Sequence, residues 1–462
     1  MFGIKSPAKQ GLQIVIIGCG KVGRTLIEQL SKEGHDITII DKNPQKIQDI
    51  TSLYDIMGVC GNGASFRIQR EAGIEDADLI IAVTESDELN LLCCTVAKQS
   101  TSCAAIARVR TPDYNDDINY LREKLGLALI INPELEAAKE ISRILYLPVA
   151  LEVNSFANGQ ADMIKFKIPT GNILDGMYLS DIRNKVTYGI LICAVERDGE
   201  VYIPSGNFQL KGGDTISFVG TRQQSNIFLE AIGFDTKQVK STMIIGGGKA
   251  AYYLAQRLLR KGISVKIIEN DLTRCEELSE LLPDAIIING DGTDEDLLRE
   301  EGLSDVESFV PLTGIDEENI MLTLHAKQVS TAKVITKINR ITFHNVINQL
   351  DLGSVIYPRH ITSEAIIAYV RAKQASKDRN IETLYHMFDS RVEAIEFLVD
   401  EDSLATNIPL KDLKLKDNLL LSFISRNGEI YIPGGNDSLQ KGDTVMIVTT
   451  HSGFNDLTDI LA

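Results

Sequence analysis

The chain reads as two copies of a doubly wound α/β domain with a parallel, Rossmann-like sheet, each followed by a small β-rich α+β module. Three observations predict this. The first is an internal duplication. Residues 12–99 and 241–328 run in register, Gly18 matching Gly246 and Asp41 matching Glu269 at an offset of 228. Further on, Gly61-Asn62-Gly63-Ala64 matches Gly290-Asp291-Gly292-Thr293, Asp87-Glu88 matches Asp316-Glu317 and Asn90 matches Asn319, all at 229. Self-similarity of this kind means one unit duplicated in tandem and is read before any other fold signal. The second observation is the glycine-rich loop that opens each copy, set between an apolar strand and a helix. The third is a shared hairpin near the end of each copy, Arg197–Gly206 (RDGEVYIPSG) and Arg426–Gly435 (RNGEIYIPGG).

In the first copy the apolar bursts Gln13–Ile17, Ile37–Ile40, Ile56–Cys60, Leu79–Val83 and Ala104–Val109 read as buried strands. Helical segments at 22–33, 44–54, 65–72 and 88–99 alternate with them. Nearly all-apolar strands alternating with helices predict a parallel sheet covered on both faces. A sixth short strand, Leu127–Ile131, ends at Asn132-Pro133-Glu134, which is a strong helix start: Asn as cap, Pro in the first turn, Glu near the positive end of the dipole. That helix runs to about Leu147, before Pro148, and carries Leu135, Ala138, Ile141, Ile144 and Leu145 on one face. It is equally suited to covering its own core and to docking on a partner subunit. Tyr357-Pro358 followed by Ser363–Lys373 repeats the arrangement in the second half.

The smaller modules follow. Asp198-Gly199 and Asn427-Gly428, each between apolar runs, are hairpin signals because a tight turn there needs positive φ. Gly213-Asp214 and Gly442-Asp443 then lead into the strands Thr215–Val219 and Thr444–Val448. The expected domains are therefore 1–147, 148–235, 240–376 and 377–462. The β-rich modules carry no catalytic grouping.

At 462 residues the chain is long enough for several cores. Its 44% hydrophobic and 24% charged content is that of a globular protein. A net charge of −17 with no basic run argues against nucleic acid as a partner. Seven cysteines, an odd number without zinc spacing, point to small core residues of a reduced cytosolic protein, and no metal site is expected. No stretch approaches ~18 uninterrupted apolar residues, so no membrane span is expected. Met1–Gln10 is polar and is read as a short leader, not a secretory signal.

The candidate ligand sites lie beyond the carboxyl ends of the strands. Gly18 allows the tight turn, Gly20 lets backbone approach a pyrophosphate and Gly23 permits close helix–strand packing. The helix N–H groups that follow favour phosphate. Asp41 ends the second strand, where its carboxylate can accept hydrogen bonds from both ribose hydroxyls and would repel a 2′-phosphate, which favours NAD over NADP. Asn62 and Gly63 follow the third strand, Thr84 and Glu85 the fourth, and Arg108 ends the fifth, where a cation can meet phosphate. The second copy keeps Gly246, Gly248, Thr313 and the strand-end acid as Glu269, but has Ala251 for Gly23, Asp291 for Asn62 and Lys337 for Arg108. The longer acid and the added carboxylate predict weaker or different nucleotide binding there. Adenosine and a polyphosphate are common to NAD(H), ATP and ADP, and the residues do not separate these ligands.

The repeated glycine loop, strand-end acid, G-N-G-A/G-D-G-T, T-x-x-D-E-x-N and Y-I-P-x-G hairpin, in this order, resemble the regulator of potassium conductance (RCK) domains, in the tandem form of the regulatory subunits of Trk-type potassium uptake systems. The resemblance covers about residue 12 to the end. It implies a cytoplasmic, non-enzymatic subunit attached peripherally to the inner face of the plasma membrane through an integral-membrane potassium-translocating Trk subunit. It also implies a homo-oligomeric, tetrameric ring and control of ion flux by nucleotide occupancy. The family's motif carries over onto Gly18, Cys19, Gly20, Lys21, Val22, Asp41, Thr84, Glu85 and Arg108. The rival reading is an NAD-dependent dehydrogenase. Hydride transfer needs an acid/base beside the nicotinamide. The first copy holds one histidine, His35, placed before the second strand and away from the crevice.

Overall fold

A computed structural model describes residues 11–462 apart from 115–116, 186–188, 340–346, 348, 375–380, 389–390, 400–402 and 455. The chain divides into two compact units. One comprises residues up to Leu135 together with Arg359–Val370, the other Glu136–Pro358 together with Arg371–Ala462.

The first unit is built on β1 Gln13–Ile17, α1 Lys21–Lys32, β2 Asp36–Asp41, α2 Pro44–Thr51, β3 Met57–Cys60, α3 Phe66–Glu71, β4 Leu79–Ala82, α4 Asp87–Ser100, β5 Ala104–Arg108, α5 Ile118–Lys124 and β6 Leu129–Ile131. The strands form one parallel sheet in the order β3-β2-β1-β4-β5-β6. Because β1 lies between β2 and β4, chain direction switches sides at its carboxyl end, where doubly wound sheets open a crevice for ligands. The core follows from the apolar strands: Ile16, Ile39, Ile81 and Ile106 are fully buried, packed under helices whose own apolar stripes include Leu26, Ile27 and Leu30. Helix starts follow from local chemistry. The Asn43 side chain accepts the N–H groups of Gln45 and Lys46 ahead of Pro44 at the first turn, and Ser86 caps α4 through Leu89 N–H. Helix α5 was not foreseen. It buries none of its residues, so it shows no apolar period to read.

The exit helix α6 Pro133–Tyr146 belongs, from Glu136 onward, to the second unit, where Ala138, Ile141, Ile144 and Leu145 are fully buried. There follow β7 Glu152–Phe156, β8 Ala161–Lys167, α7 Leu179–Lys185, β9 Leu191–Arg197, β10 Glu200–Tyr202, β11 Thr215–Gly220 and α8 Arg222–Ala231. The strands make an antiparallel sheet ordered β10-β9-β11-β8-β7.

The second Rossmann-like sheet follows. Its elements are β12 Ser241–Ile245, α9 Lys249–Leu259, β13 Ser264–Glu269, α10 Leu272–Leu281, β14 Ile286–Asn289, α11 Glu295–Glu300, β15 Ser308–Pro311, α12 Asp316–Val329, β16 Lys333–Lys337 and β17 Ser354–Ile356. The strand order β14-β13-β12-β15-β16-β17 repeats the first sheet position for position. Its exit helix α13 Pro358–Gln374 contributes Arg359–Val370 to the first unit.

The last module has β18 Ile381–Met387, β19 Val392–Leu398, β20 Leu419–Arg426, β21 Glu429–Tyr431 and β22 Thr444–Thr449, ordered β18-β19-β22-β20-β21. Both hairpins have the backbone that the sequence demanded, with φ of 52° and 83° at Asp198 and Gly199 and of 54° and 81° at Asn427 and Gly428. Beside each, a bidentate pair ties hairpin to strand: Arg197 to Asp214 at 2.7 Å, Arg426 to Asp443 at 2.7 and 2.8 Å. The copies differ at the end. Helix α8, opened by a Thr221–Gln224 capping box, has the 3-10 turn Leu457–Ile460 as its counterpart among the described residues. Within the second unit the two β modules pack face to face, Met163, Cys193 and Val219 sharing one core with Val392, Phe423 and Met446. Among the described residues no helix is long and apolar enough to cross a membrane.

Candidate functional site

At the carboxyl end of β1, Gly18 takes φ +105°, a conformation that L side chains rarely adopt, and a Cβ there would press on Thr84 N at 3.0 Å. Gly23 packs under the loop so closely that a Cβ would stand 2.0 Å from the Gly18 carbonyl oxygen. Gly20 is the opposite case, since a Cβ would meet nothing within 4 Å. The three glycines thus divide as turn, open approach and packing. Gly20 caps α1 without any side-chain hydrogen bond, and no acid occupies its first turn, so the helix itself supplies nothing to offset the partial positive charge of its start. Lys21 beside it is exposed, whereas Val22 is buried and offers the site only its backbone.

The strand-end acid is locked to the loop. Asp41 Oδ2 accepts the Cys19 N–H at 2.7 Å and Oδ1 the Asn43 N–H at 2.8 Å. Each carboxylate oxygen keeps a second lone pair for a ligand hydroxyl. The Cys19 side chain points away from the loop surface. It is 1% exposed, its Sγ lies 3.6 Å from the Lys46 carbonyl, and burial pushes the thiol above its ordinary pKa.

On the other side of β1, Thr84 N–H and Oγ1 both donate to Asn90 Oδ1, at 2.8 and 2.7 Å. Asn90 Nδ2 in turn donates to the carbonyls of Thr84 at 3.2 Å and Arg108 at 2.9 Å. The Arg108 guanidinium donates to the Thr84 carbonyl at 2.5 Å, and burial, followed by the neighbouring Arg110, disfavours its charged form. Asp41, the glycine loop, Thr84 and Arg108 therefore form a continuous line across four adjacent strand ends. Glu85 is exposed, and its carbonyl is held by Arg110. Asn62 is also exposed, with its Oδ1 accepting the Ala64 N–H at 3.2 Å in its own turn. Gly63 is buried against β1, where a Cβ would sit 2.3 Å from Ile17 Cγ2, so its glycine is explained by packing.

The second copy rebuilds the plan with other residues. Gly246 takes φ +94°, Gly248 faces open space and Ala251 is fully buried in the third-glycine position. Glu269 Oε2 accepts the Gly247 N–H at 2.6 Å and Oε1 the Asp271 N–H at 2.9 Å, the same two bonds that Asp41 makes. Asn319 joins the N–H and carbonyl of Thr313 to the carbonyl of Lys337, while Lys337 Nζ donates to the Leu312 carbonyl at 2.9 Å. Asp291 is exposed and turned into its own loop, accepting Thr293 N–H at 2.9 Å and Oγ1 at 2.7 Å, and these bonds hold its carboxyl below the usual range.

Residue-type reasoning missed the supports. Asn90 and Asn319 are 0% exposed and tie two strand ends together in each copy. Asp87 Oδ2 accepts the N–H groups of Arg110 and Thr111 at 2.9 and 2.8 Å, and Asp316 accepts that of Asn339 at 2.8 Å. Their signal was present as recurrence at a fixed offset in T-x-x-D-E-x-N. His35 stands apart from the line. It is buried, and its Nδ1 accepts the Leu12 N–H at 3.1 Å.

The chain matches the TrkA-N domain model at residues 14–133 and 242–358 and the TrkA-C domain model at 163–233 and 394–462. It is 31% identical to the Trk system potassium uptake protein TrkA of Haemophilus influenzae over 94% of this chain and 95% of that protein. It is 31% identical to Trk system potassium uptake protein TrkA homolog 1 of Methanosarcina mazei over 96% and 99%. Among solved structures, a GsuK channel bound to NAD shares the fold with a TM-score of 0.62 at 18% identity, covering 96% of this chain and 78% of the channel. A GsuK bound to ADP does so with a TM-score of 0.50 at 17% identity over 80% and 72%.

Proposed function

The chain belongs to the TrkA family, with TrkA-N and TrkA-C domains in tandem, and from that premise we propose that it is the nucleotide-sensing regulatory subunit of a Trk-type potassium uptake system. Its relatives are named as potassium uptake proteins and not as enzymes. The observation that carries the ligand reading is the Asp41–Cys19 lock beside the open Gly20, rebuilt as Glu269–Gly247 beside Gly248. In this reading the pyrophosphate of NAD(H) lies over Gly20 and the start of α1. The adenosine ribose hydroxyls bond to Asp41, and Thr84, Glu85 and Arg108 line the far side. The chain would sit on the cytoplasmic face, attached to the membrane subunit that passes potassium, as a ring of identical copies.

A ligand shifts an open–closed equilibrium only by its difference in affinity for the two states. Binding that bridges the loop, the strand-end acid and the β4–β5 edge supplies such a difference, and reciprocity requires the membrane partner to alter nucleotide affinity. ADP bound to a fold relative supports adenine nucleotides as the competing ligand class at the same loops. Calorimetry of the purified chain with NADH, NAD, ATP, ADP and NADPH, beside potassium uptake in cells carrying Asp41→Ala, is the test. The reading expects NADPH to bind poorly and Asp41→Ala to weaken every adenine ligand. Equal affinity for NADH and NADPH would contradict the ribose assignment, and turnover of an alcohol or 2-hydroxy acid with NAD would overturn the regulatory reading.

A further inference from the structure

The second unit holds a cavity of about 420 Å³ whose rim is basic in a chain of net charge −17. Three segments bring cations to it at helical spacing. Helix α6 supplies Arg143 with Tyr146 one turn on, α8 supplies Arg222 with Ser225 and Asn226, and the end of α9 supplies Arg257 with Lys261 just beyond it. Among the described residues none of these four cations forms an ion pair. Arg257 is held by its Nε, which donates to Ser142 Oγ at 3.1 Å, so the rest of its guanidinium is left for another partner. The single carboxylate on the wall, Asp162, is occupied in part by Ser155, whose Oγ donates to it at 2.7 Å.

Ser225, 1% exposed, also lies on the lining of the cavity. Four like charges around one cavity repel one another, and an anion seated among them removes that cost. Arginine forks match phosphate oxygens in pairs, and lysine adds a point charge. Leu147, Val153 and Ile164 add apolar lining, together with Tyr146. The feature belongs to the first half alone, because His451 and Phe454 occupy the positions matching Arg222 and Ser225.

We propose that this cavity is a polyphosphate-binding site, distinct from the two glycine loops, which takes a small molecule carrying two or more linked phosphates. The probe is inorganic tripolyphosphate titrated calorimetrically into the full chain, into Arg143→Gln, Arg257→Gln and Lys261→Gln, and into Gly20→Asp and Gly248→Asp. One site per chain is expected, surviving both loop variants, weakening at least tenfold in each arginine variant and several-fold in Lys261→Gln, and falling steeply with salt. Repeating the titration with ATP in the loop variants separates the sources. Tighter binding than tripolyphosphate at the same residues assigns a nucleoside polyphosphate, and equal or weaker binding assigns the inorganic chain. No binding to the wild-type chain, or binding lost in the loop variants and kept in the cavity variants, overturns the proposal. Lys261 is exposed, so its variant tests the site even where an arginine variant lowers stability.

Discussion

The Asp41 carboxylate and the Cys19 backbone N–H are joined at 2.7 Å, and in the second copy Glu269 makes the same bond to the N–H of Gly247 at 2.6 Å. A Cβ on Gly247 would lie 2.6 Å from Leu278 Cδ1 and 3.1 Å from Glu269 Oε2. The extra methylene of Glu269 therefore claims the space that the Cys19 side chain fills in the first copy. Loop residue and strand-end acid are a matched pair in each half: cysteine with aspartate, glycine with glutamate.

That pairing predicts a coupled double mutant. Gly247→Cys alone overpacks the second loop and should cost about 1–3 kcal/mol, seen as a lowered unfolding midpoint. Glu269→Asp removes a methylene and should restore much of it in the Gly247→Cys background. The measurement is the interaction term of the four-corner cycle, expected to exceed ~0.5 kcal/mol in the favourable direction, as for residues in contact. Additive effects would show that the two positions are not matched.

The glycine loops predict a contrast between binding and folding. Gly20→Asp places a carboxylate into open space, so its melting midpoint should stay near that of the wild type while NADH binding falls at least tenfold. Gly23→Ala must push a methyl into the Gly18 carbonyl, so it should lower the midpoint first and binding as a consequence. Gly248→Asp should match Gly20→Asp in stability but lose less NADH binding, on the proposal that the first loop is the tighter site. Titration and melting of the three variants side by side decides this. A larger binding loss from Gly248→Asp would reverse the assignment.

Most of this architecture is legible in the sequence, because duplication supplies each signal twice. Apolar strands, positive-φ hairpin turns and the three-glycine loop follow from local chemistry, and all of them recur in both halves. The parts that sequence hid are long-range. Nothing local distinguishes an α6 that covers its own sheet from one that belongs to the other unit, since its buried face is the same either way. The same limit concealed the face-to-face packing of the β modules. In the site, the sequence places Gly63 among the ligand contacts and its packing on Ile17 is visible only in the fold, while Asn90 recurs in the register with no residue-type signal of its role. A buried asparagine acts through backbone groups of distant strands, and spacing does not display those.

Asn90 is accordingly expected to matter out of proportion to its size. It satisfies the Thr84 N–H, the Thr84 hydroxyl and the carbonyls of Thr84 and Arg108 from a fully buried position. Asn90→Ala strands several of these groups, and each buried polar group left unpaired costs ~1–3 kcal/mol. The expected result is a stability loss of about 2–4 kcal/mol in urea unfolding of the first unit's transition. Asn319→Ala should do the same in the second unit. Near-wild-type midpoints in both would mean that water replaces the amide.

The last expectation concerns pH. Glu140 on α6 is pushed up to about 8 by burial, with the neighbouring Glu152 carboxylate adding to the shift and Arg143 opposing it. In the unfolded chain a glutamate titrates at about 4.3. Between those values the folded chain holds a proton that the unfolded chain has released, so folding takes up a proton and stability must fall as pH rises. Below about 4.3 both states are protonated and the group contributes no slope, and above about 8 the loss is complete. Glu140→Gln keeps the neutral shape without the titration. It should melt near the wild type at pH 4.5 and increasingly above it up to pH 8.5, flattening the midpoint-against-pH curve over that window. Arg143→Gln removes the charge that opposes the shift and should carry the fall in stability to higher pH than in the wild type. Parallel curves for wild type and Glu140→Gln from pH 4.5 to 8.5 would show that Glu140 is ionised in the folded chain throughout.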